Sequence, residues 1–375
     1  MDALQLANTA LAIDVYKKLN EQNTNKNILF APPCISAPLA LALKGAKNET
    51  AKQMEQVLHL EKVKDVDFGY QTTELGFSKI SDKCSFKMVK RLYAEKSLDI
   101  TKDFIDCTKK PYPLMLEVVD FKENAQETVQ QINKSCTELT KGKIENILND
   151  GSVDDQTKLV LLGAAAFSGM WLKKFNECET KEVPFRTSKT ESKPVQMMQL
   201  ESRCNMGYIK DMKTLVLDLP CENKALGIII LLPQDIEDDS TGLEQLEKEL
   251  TSEKFIHWTN PSMMANTKVK VCLPKFKLEE SVDLKPILVS LGLKDACDAE
   301  VADFTGMTEC KGVALSHACH KSSLEISEEG AEEPDTGRER VLMHKDEFNA
   351  DHPFMLALRL NNTRSLLMMG KFCSP

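Results

Sequence analysis

No apolar run in this 375-residue chain is long enough to cross a bilayer: the longest, LVLLGAAAF and LGIIILLP, stop far short of the roughly 20 residues that a spanning helix needs. The N-terminal stretch MDALQLANTALAIDVYKKL has no basic start, no continuous apolar segment and no small-residue cleavage site, so a cleavable secretory signal is not expected. The 12 cysteines are scattered singly, without one CxxC pair. That pattern predicts free thiols, mostly small core residues, in a reducing compartment. HExxH, a Walker-A loop, GxGxxG and GxSxG are all missing. No spacing pairs two carboxylates for acid–base work, so neither an enzyme nor a bound cofactor is expected. A net charge of −9 argues against a general nucleic-acid binder and leaves only a local basic face, around Lys87, Lys90 and Arg91, to be examined.

What is present is patterned. Leu4, Ala7, Leu11, Val15 and Leu19 fall at helical spacing, as do Val129, Ile132 and Leu139 within residues 126–140. Thr50 ahead of Ala51, Met54, Val57 and Leu58 reads as a helix cap, and Thr241 with Glu244 as a capping box. The second half is rich in strands. TLVLDLP (214–220) and ALGIIILLP (225–233) flank a polar break, and KVKVCLPKF (268–276) alternates apolar residues with lysines. FMLALRL and SLLMMGKF flank NNTR as a hairpin would. Helices first and strands later, with no linker or repeat between, predict one α+β domain over 1–375.

SHACHK brings His317, Cys319 and His320 together, but a strand splits them across two faces and no second cluster completes a tetrahedral set. A hydrogen-bonded structural histidine is the expectation there, and no metal. Asn48, Asn133 and Asn361 head Asn-x-Ser/Thr sequons, which matter if the chain is exported.

FNADHPF (348–354) and GKFCSP (370–375) resemble the closing signature of the serpins. NILFAPPCISAPLALALKGAKNET, RLYAEKSLDI, AAAFSGMW, LPKFKLE, LGLKDAC, ADFTGM and HKSSLEISEEG follow the family's order, so the resemblance covers essentially the whole chain. Gly163 departs from it, standing where an asparagine is usual, as does Ser135, where a tryptophan is usual. The resemblance implies helices packed around three mainly antiparallel sheets, with an exposed reactive loop over about residues 330–347. Within the family the chain is similar to the intracellular, ovalbumin-like clade, and to a member that does not inhibit proteases.

An inhibitory serpin is cleaved in that loop, which then enters the central sheet as a new strand and carries the trapped protease with it. The family's loop follows its hinge with small residues. Here Glu328, Glu329, Gly330 and Ala331 lead into Glu332, Glu333, Pro334, Asp335, Thr336 and Gly337. If Ala331 faces inward, a period of two sends Glu333 and Asp335 inward with it; the opposite parity buries Glu332 and Pro334. An unpaired buried carboxylate costs several kcal/mol, and Pro334 has no N–H for a central ladder. The 18 positions from Gly330 to Phe348 also make a shorter loop than inhibitory relatives carry.

The expectation is a serpin that acts by binding. Resemblance implies restraint of cell growth, migration and adhesion, through extracellular-matrix or cell-surface proteins and intracellular regulators. The chain is expected to be monomeric, both cytoplasmic and extracellular by unconventional export, and not inserted in membranes. The alternative is a suicide inhibitor of a trypsin-like serine protease with Arg340 as the reactive residue. Arg338, Arg340 and Val341 are the recognition or cleavage positions in either case, and their sequence leaves recognition and mere exposure equally open.

Overall fold

The structure, a computed structural model, describes residues 2–22, 24–77, 85–221, 224–331 and 346–375. Its helices are α1 (Ala3–Gln22), α2 (Pro33–Gly45), α3 (Asn48–Val57), α4 (Val66–Phe77), α5 (Lys102–Thr108), α6 (Phe121–Leu139), α7 (Glu244–Glu249), α8 (Ser252–Trp258) and α9 (Leu284–Leu291). The strands are β1 (Ile28–Phe30), β2 (Ser85–Glu95), β3 (Leu116–Val119), β4 (Leu159–Ser168), β5 (Lys181–Arg186), β6 (Ser192–Ile209) and β7 (Thr214–Pro220). They continue with β8 (Leu226–Pro233), β9 (Ala265–Asp283), β10 (Leu315–Ile326), β11 (Asp346–Asn349), β12 (Phe354–Leu360) and β13 (Ser365–Phe372).

The expected sheets join in one hydrogen-bonded path, β1-β13-β12-β8-β7-β6-β9-β10-β4-β2-β3, with β5 on β6 and β11 on β9. The 19-residue β9 makes the join. Its residues 265–275 pair with β6 and 276–283 with β10. Most pairs are antiparallel, but β10 runs parallel to β4 from Leu315 to Glu325. β4 is buried on both faces because Ala165 and Phe167 pack into one apolar cluster and Ala164 and Ala166 into another. The alternating strands and the C-terminal hairpin read from the sequence all form.

Both predicted caps are corrected. Thr50 lies inside α3, and its hydroxyl accepts the Asp303 N–H at 3.0 Å, so it ties the helix to a distant loop. α7 begins at Glu244, whose N–H goes to Asp238 Oδ2 at 3.0 Å; Thr241 only meets the Leu243 N–H. The residue types suit caps, but a distant backbone N–H takes the Thr50 oxygen, and at α7 the Asp238 carboxylate takes the place expected for Thr241. The basic face is corrected as well. Lys90 is buried against Glu74 with the Phe77 ring 4.8 Å away, and Arg91 Nε donates to Glu117 at 2.6 Å. His320 is 1% exposed and its Nε2 accepts the Ala31 N–H at 3.0 Å. Burial pushes its pKa down to about 4. Among the described residues no three metal-ligating side chains converge, and no helix is long and apolar enough to cross a membrane.

The C-terminal strand is fastened by charge as well as by its ladder. Lys371 Nζ is fully buried, 2.9 Å from Glu247 Oε1, and also donates to Asn20 Oδ1 and the Thr24 carbonyl, each at 2.6 Å. Tyr16 and Asn20 on α1 donate to the same carboxylate at 2.7 and 3.0 Å. Removing one member of a buried pair strands the other. Lys371→Met is therefore expected to lose about 3–5 kcal/mol in urea denaturation. Lys371→Met combined with Glu247→Gln should recover most of that loss, and a double variant no better than the single one would contradict the pairing.

On the surface, His59 Nε2 sits 2.7 Å from Asp14 Oδ2, tying the end of α3 to α1. The hydrogen bond to Asp14 outweighs partial burial and raises the imidazole pKa above its ordinary value. The contact's stabilisation is full below the unfolded-state value near 6.5 and is lost as pH rises through the folded-state value. Thermal melts from pH 6 to 8 should show a small decline that His59→Gln removes.

Candidate functional site

β10 ends at Ile326, and the chain then lies along the segment that follows β4. The Trp171 N–H donates to Glu329 O at 2.9 Å, and the Ala331 N–H returns to Trp171 O at 3.0 Å. These two bonds make Gly330 a parallel bridge partner of Trp171. The N–H groups of Lys174 and Phe175 reach Ala331 O at 3.1 Å and Glu328 O at 3.0 Å. Trp171 Nε1 donates to Ser327 O at 2.7 Å, and its ring packs edge-on against Phe175 at 5.7 Å. Residues 327–331 are thus held to Trp171–Phe175 through the carbonyls of Ser327, Glu328, Glu329 and Ala331 and the N–H of Ala331.

Gly330 permits this approach. A Cβ there would stand 2.7 Å from both Cα and N of Lys174, inside contact distance of rigid backbone. Glu328 supplies the side-chain fastening. It is 7% exposed; its Oε2 meets Lys275 Nζ on β9 at 2.8 Å and its Oε1 accepts the Thr180 hydroxyl at 3.0 Å. Burial opposes its charge, but the bonds to Lys275 and Thr180 prevail and hold its pKa below the usual carboxylate range. The clamp is therefore intact above the ordinary glutamate range and weakens as pH falls through the lowered folded-state value.

Of the residues named from the sequence, Glu328, Gly330 and Ala331 meet in this clamp, and Glu329 joins through its carbonyl while its side chain stays exposed. Glu333, Pro334, Asp335, Arg338, Arg340 and Val341 lie outside the described residues. Trp171 and Lys275 fall in AAAFSGMW and LPKFKLE, two of the stretches that carry the resemblance, but their part in the clamp, and that of Phe175 and Thr180, was not read from the sequence.

The β1–α2 corner holds the seam between β4 and β10, β1 and Ala31 touching β10 and the start of α2 touching β4. The Cys34 thiol reaches Ala164 O on β4 at 3.3 Å, and the Ser322 hydroxyl on β10 donates to Leu29 O at 2.9 Å. Gly163 is needed here, because a Cβ would lie 2.5 Å from Cys34 O. Its departure from the family's asparagine matches a helix end lying directly on the strand.

A long internal strand, β10, that runs parallel to β4 and exits through a backbone clamp, with β11 on β9 and the hairpin β12–β13 closing the chain, is the architecture of a serpin. The family model described as Serpin (serine protease inhibitor) matches residues 6–375, and the chain belongs to that family. It is similar to Serpin B5 of Xenopus tropicalis, 54% identical over 375 residues that cover 100% of this chain and 99% of the relative. A crystal structure of maspin superposes with a TM-score of 0.97 at 52% identity, covering 100% of this chain and 99% of that one. A solved structure of a tumour suppressing serpin gives 0.94 at 52% identity with full coverage of both chains.

Glu328→Ala should loosen the clamp by about 1–2 kcal/mol. Hydrogen exchange at Trp171, Lys174, Phe175 and Ala331 is then expected to quicken roughly tenfold while β12 and β13 keep their protection. Uniform acceleration across all of these would mean that Glu328 supports the whole fold instead.

Proposed function

We propose that this protein is a non-inhibitory serpin, not an enzyme, that acts by binding other proteins in the manner of maspin. The observation that carries the reading is the seam between β4 and β10 set beside the composition of the loop. An entering strand would replace one ladder by two, with β4 as a neighbour whose faces are apolar on both sides. Whichever parity it takes, Glu333 with Asp335 or Glu332 with Pro334 enters that environment. Desolvating those carboxylates and losing the Pro334 donor oppose insertion by several kcal/mol. A trap must insert faster than the protease completes hydrolysis, so a slowed insertion ends in cleavage.

Arg338 and Arg340 are proposed as the recognition or cleavage positions of the loop, with Val341 following. The binding role extends to restraint of growth, migration and adhesion through matrix, cell-surface or intracellular partners, from both cytoplasmic and extracellular locations. Incubation with a trypsin-like protease should give a loop-cleaved protein and no complex that survives SDS. The cleaved form should melt within a few degrees of the intact one, because no strand has been added. A covalent complex blocked by Arg340→Ala, or a large rise in melting temperature on cleavage, would make the chain an inhibitor with Arg340 as its reactive residue.

A further inference from the structure

The three sequons end in very different places. Asn133, on α6, uses both arms of its amide on the backbone of one residue: Oδ1 accepts the Leu148 N–H at 2.9 Å and Nδ2 donates to Leu148 O at 2.8 Å. A pair of this shape needs the amide hydrogen on the Oδ1 side. In a substituted amide that place belongs to the carbon substituent, as in a trans peptide. A sugar on Asn133 therefore removes the bond and separates α6 from the segment at Leu148, a residue 2% exposed.

Asn361 is committed as well. Oδ1 accepts Nε of Arg359 at 3.1 Å and Nδ2 donates to Lys224 O at 3.0 Å. Arg359 is itself 7% exposed and paired with Asp218 at 2.8 Å. Both ends of the Asn361 amide lie 3.3 Å from where a Cβ on Gly227 would be, so the amide is packed over β8.

Asn48 differs on each count. It is exposed at the start of α3, and its side chain makes one bond, Nδ2 to Asp303 Oδ2 at 2.6 Å. An amide carrying one sugar keeps one N–H for Asp303. Its φ of 49° lies in the left-handed region that asparagine tolerates.

We propose that, when the chain enters the secretory lumen, Asn48 is the position at which this fold carries an N-linked oligosaccharide, and that Asn133 and Asn361 are closed to one. In the transfer, Asn48 Nδ2 forms a bond to the anomeric carbon of a lipid-diphosphate-linked oligosaccharide. The carbon–oxygen bond to the diphosphate breaks, the lipid diphosphate leaves, and the amide gives up one proton. Transfer precedes folding, because Thr50 of the same sequon ends 1% exposed with its hydroxyl held by the Asp303 N–H. The fold then acts as the filter: chains modified at Asn48 reach the native state and chains modified at Asn133 or Asn361 do not.

The test directs the full chain into the secretory route with a cleavable leader and compares the secreted and retained pools. Glycosidase release in heavy-oxygen water followed by peptide mass mapping reads each site. The secreted pool should carry a glycan at Asn48 and none at Asn133 or Asn361, with any occupancy of the latter two confined to the retained pool. Asn48→Gly, which suits the positive φ, should abolish the mass increase and leave secretion and melting temperature within a few degrees of wild type. A secreted protein that is modified at Asn133 or Asn361 and melts normally overturns the proposal. So does a secreted pool with Asn48 unmodified, or occupancy of Asn48 found only in the retained pool.

Discussion

The parallel pairing of β4 with β10 is the contact on which the remainder of this structure depends, because it joins β4, β2 and β3 to the rest of the sheet through a strand buried on both faces. β4 is apolar on both faces, while β10 runs on into the clamp at Trp171–Phe175. The seam is held from three sides: by its own ladder, by the clamp at Trp171–Phe175, and by the β1–α2 corner. The corner contacts are of one kind. The Ala31 N–H reaches His320 on β10, Leu29 O accepts from Ser322 on the same strand, and Cys34 lies directly on Gly163 of β4. Parting β4 from β10 thus means breaking a ladder and moving a buried helix end at the same time. Cooperative attachments of this sort give an element two arrangements with little between them.

The opposite edge is secured by different physics. The Lys371–Glu247 pair is buried with Tyr16 and Asn20 around it, so each charge is satisfied by more than its counter-ion. Such a cluster stabilises little over an apolar equivalent but penalises any packing that separates its members. Since Lys371 is on β13, Glu247 on α7 and Tyr16 on α1, it fixes how the last strand meets the first helix. Asn27 adds to this by accepting the N–H groups of Cys373 and Ser374 at 2.7 and 3.1 Å. The C-terminal residues that resembled the family signature are those that close the sheet against α1.

Periodicity revealed the elements whose structure is set locally. β9, β12, β13 and the β7–β8 pair follow from alternation and turn residues, and α1 and α6 from apolar spacing. It failed where one side chain had two chemically equal choices. Thr50 and Thr241 have the right type for caps, yet the Thr50 hydroxyl is taken by the Asp303 N–H and the first N–H of α7 goes to Asp238. Lys90 and Arg91 look like a basic face until α4 brings Glu74 and Phe77 over one and β3 brings Glu117 to the other. The candidate site was half legible. The acidic, proline-bearing loop is a property of the string of residues, whereas the clamp is a set of backbone bonds between segments some 155 residues apart, as Trp171 and Ser327 are (327 − 171 = 156). No pattern within either segment announces the other.

Clamp and loop composition bear on the same step from opposite ends. Leaving the clamp costs the backbone bonds of residues 327–331 and the Glu328–Lys275 pair, and these are partly regained if the chain continues as a strand. In a loop of small residues that regain is followed by a second ladder and by apolar burial, so the process runs downhill once begun. Here the residue after Ala331 is Glu332, and the first three positions past the clamp hold two carboxylates and a proline. On the proposed reading the cost arrives at the start of insertion, before any ladder beyond it can compensate, and it persists in the inserted state because the carboxylates stay buried there.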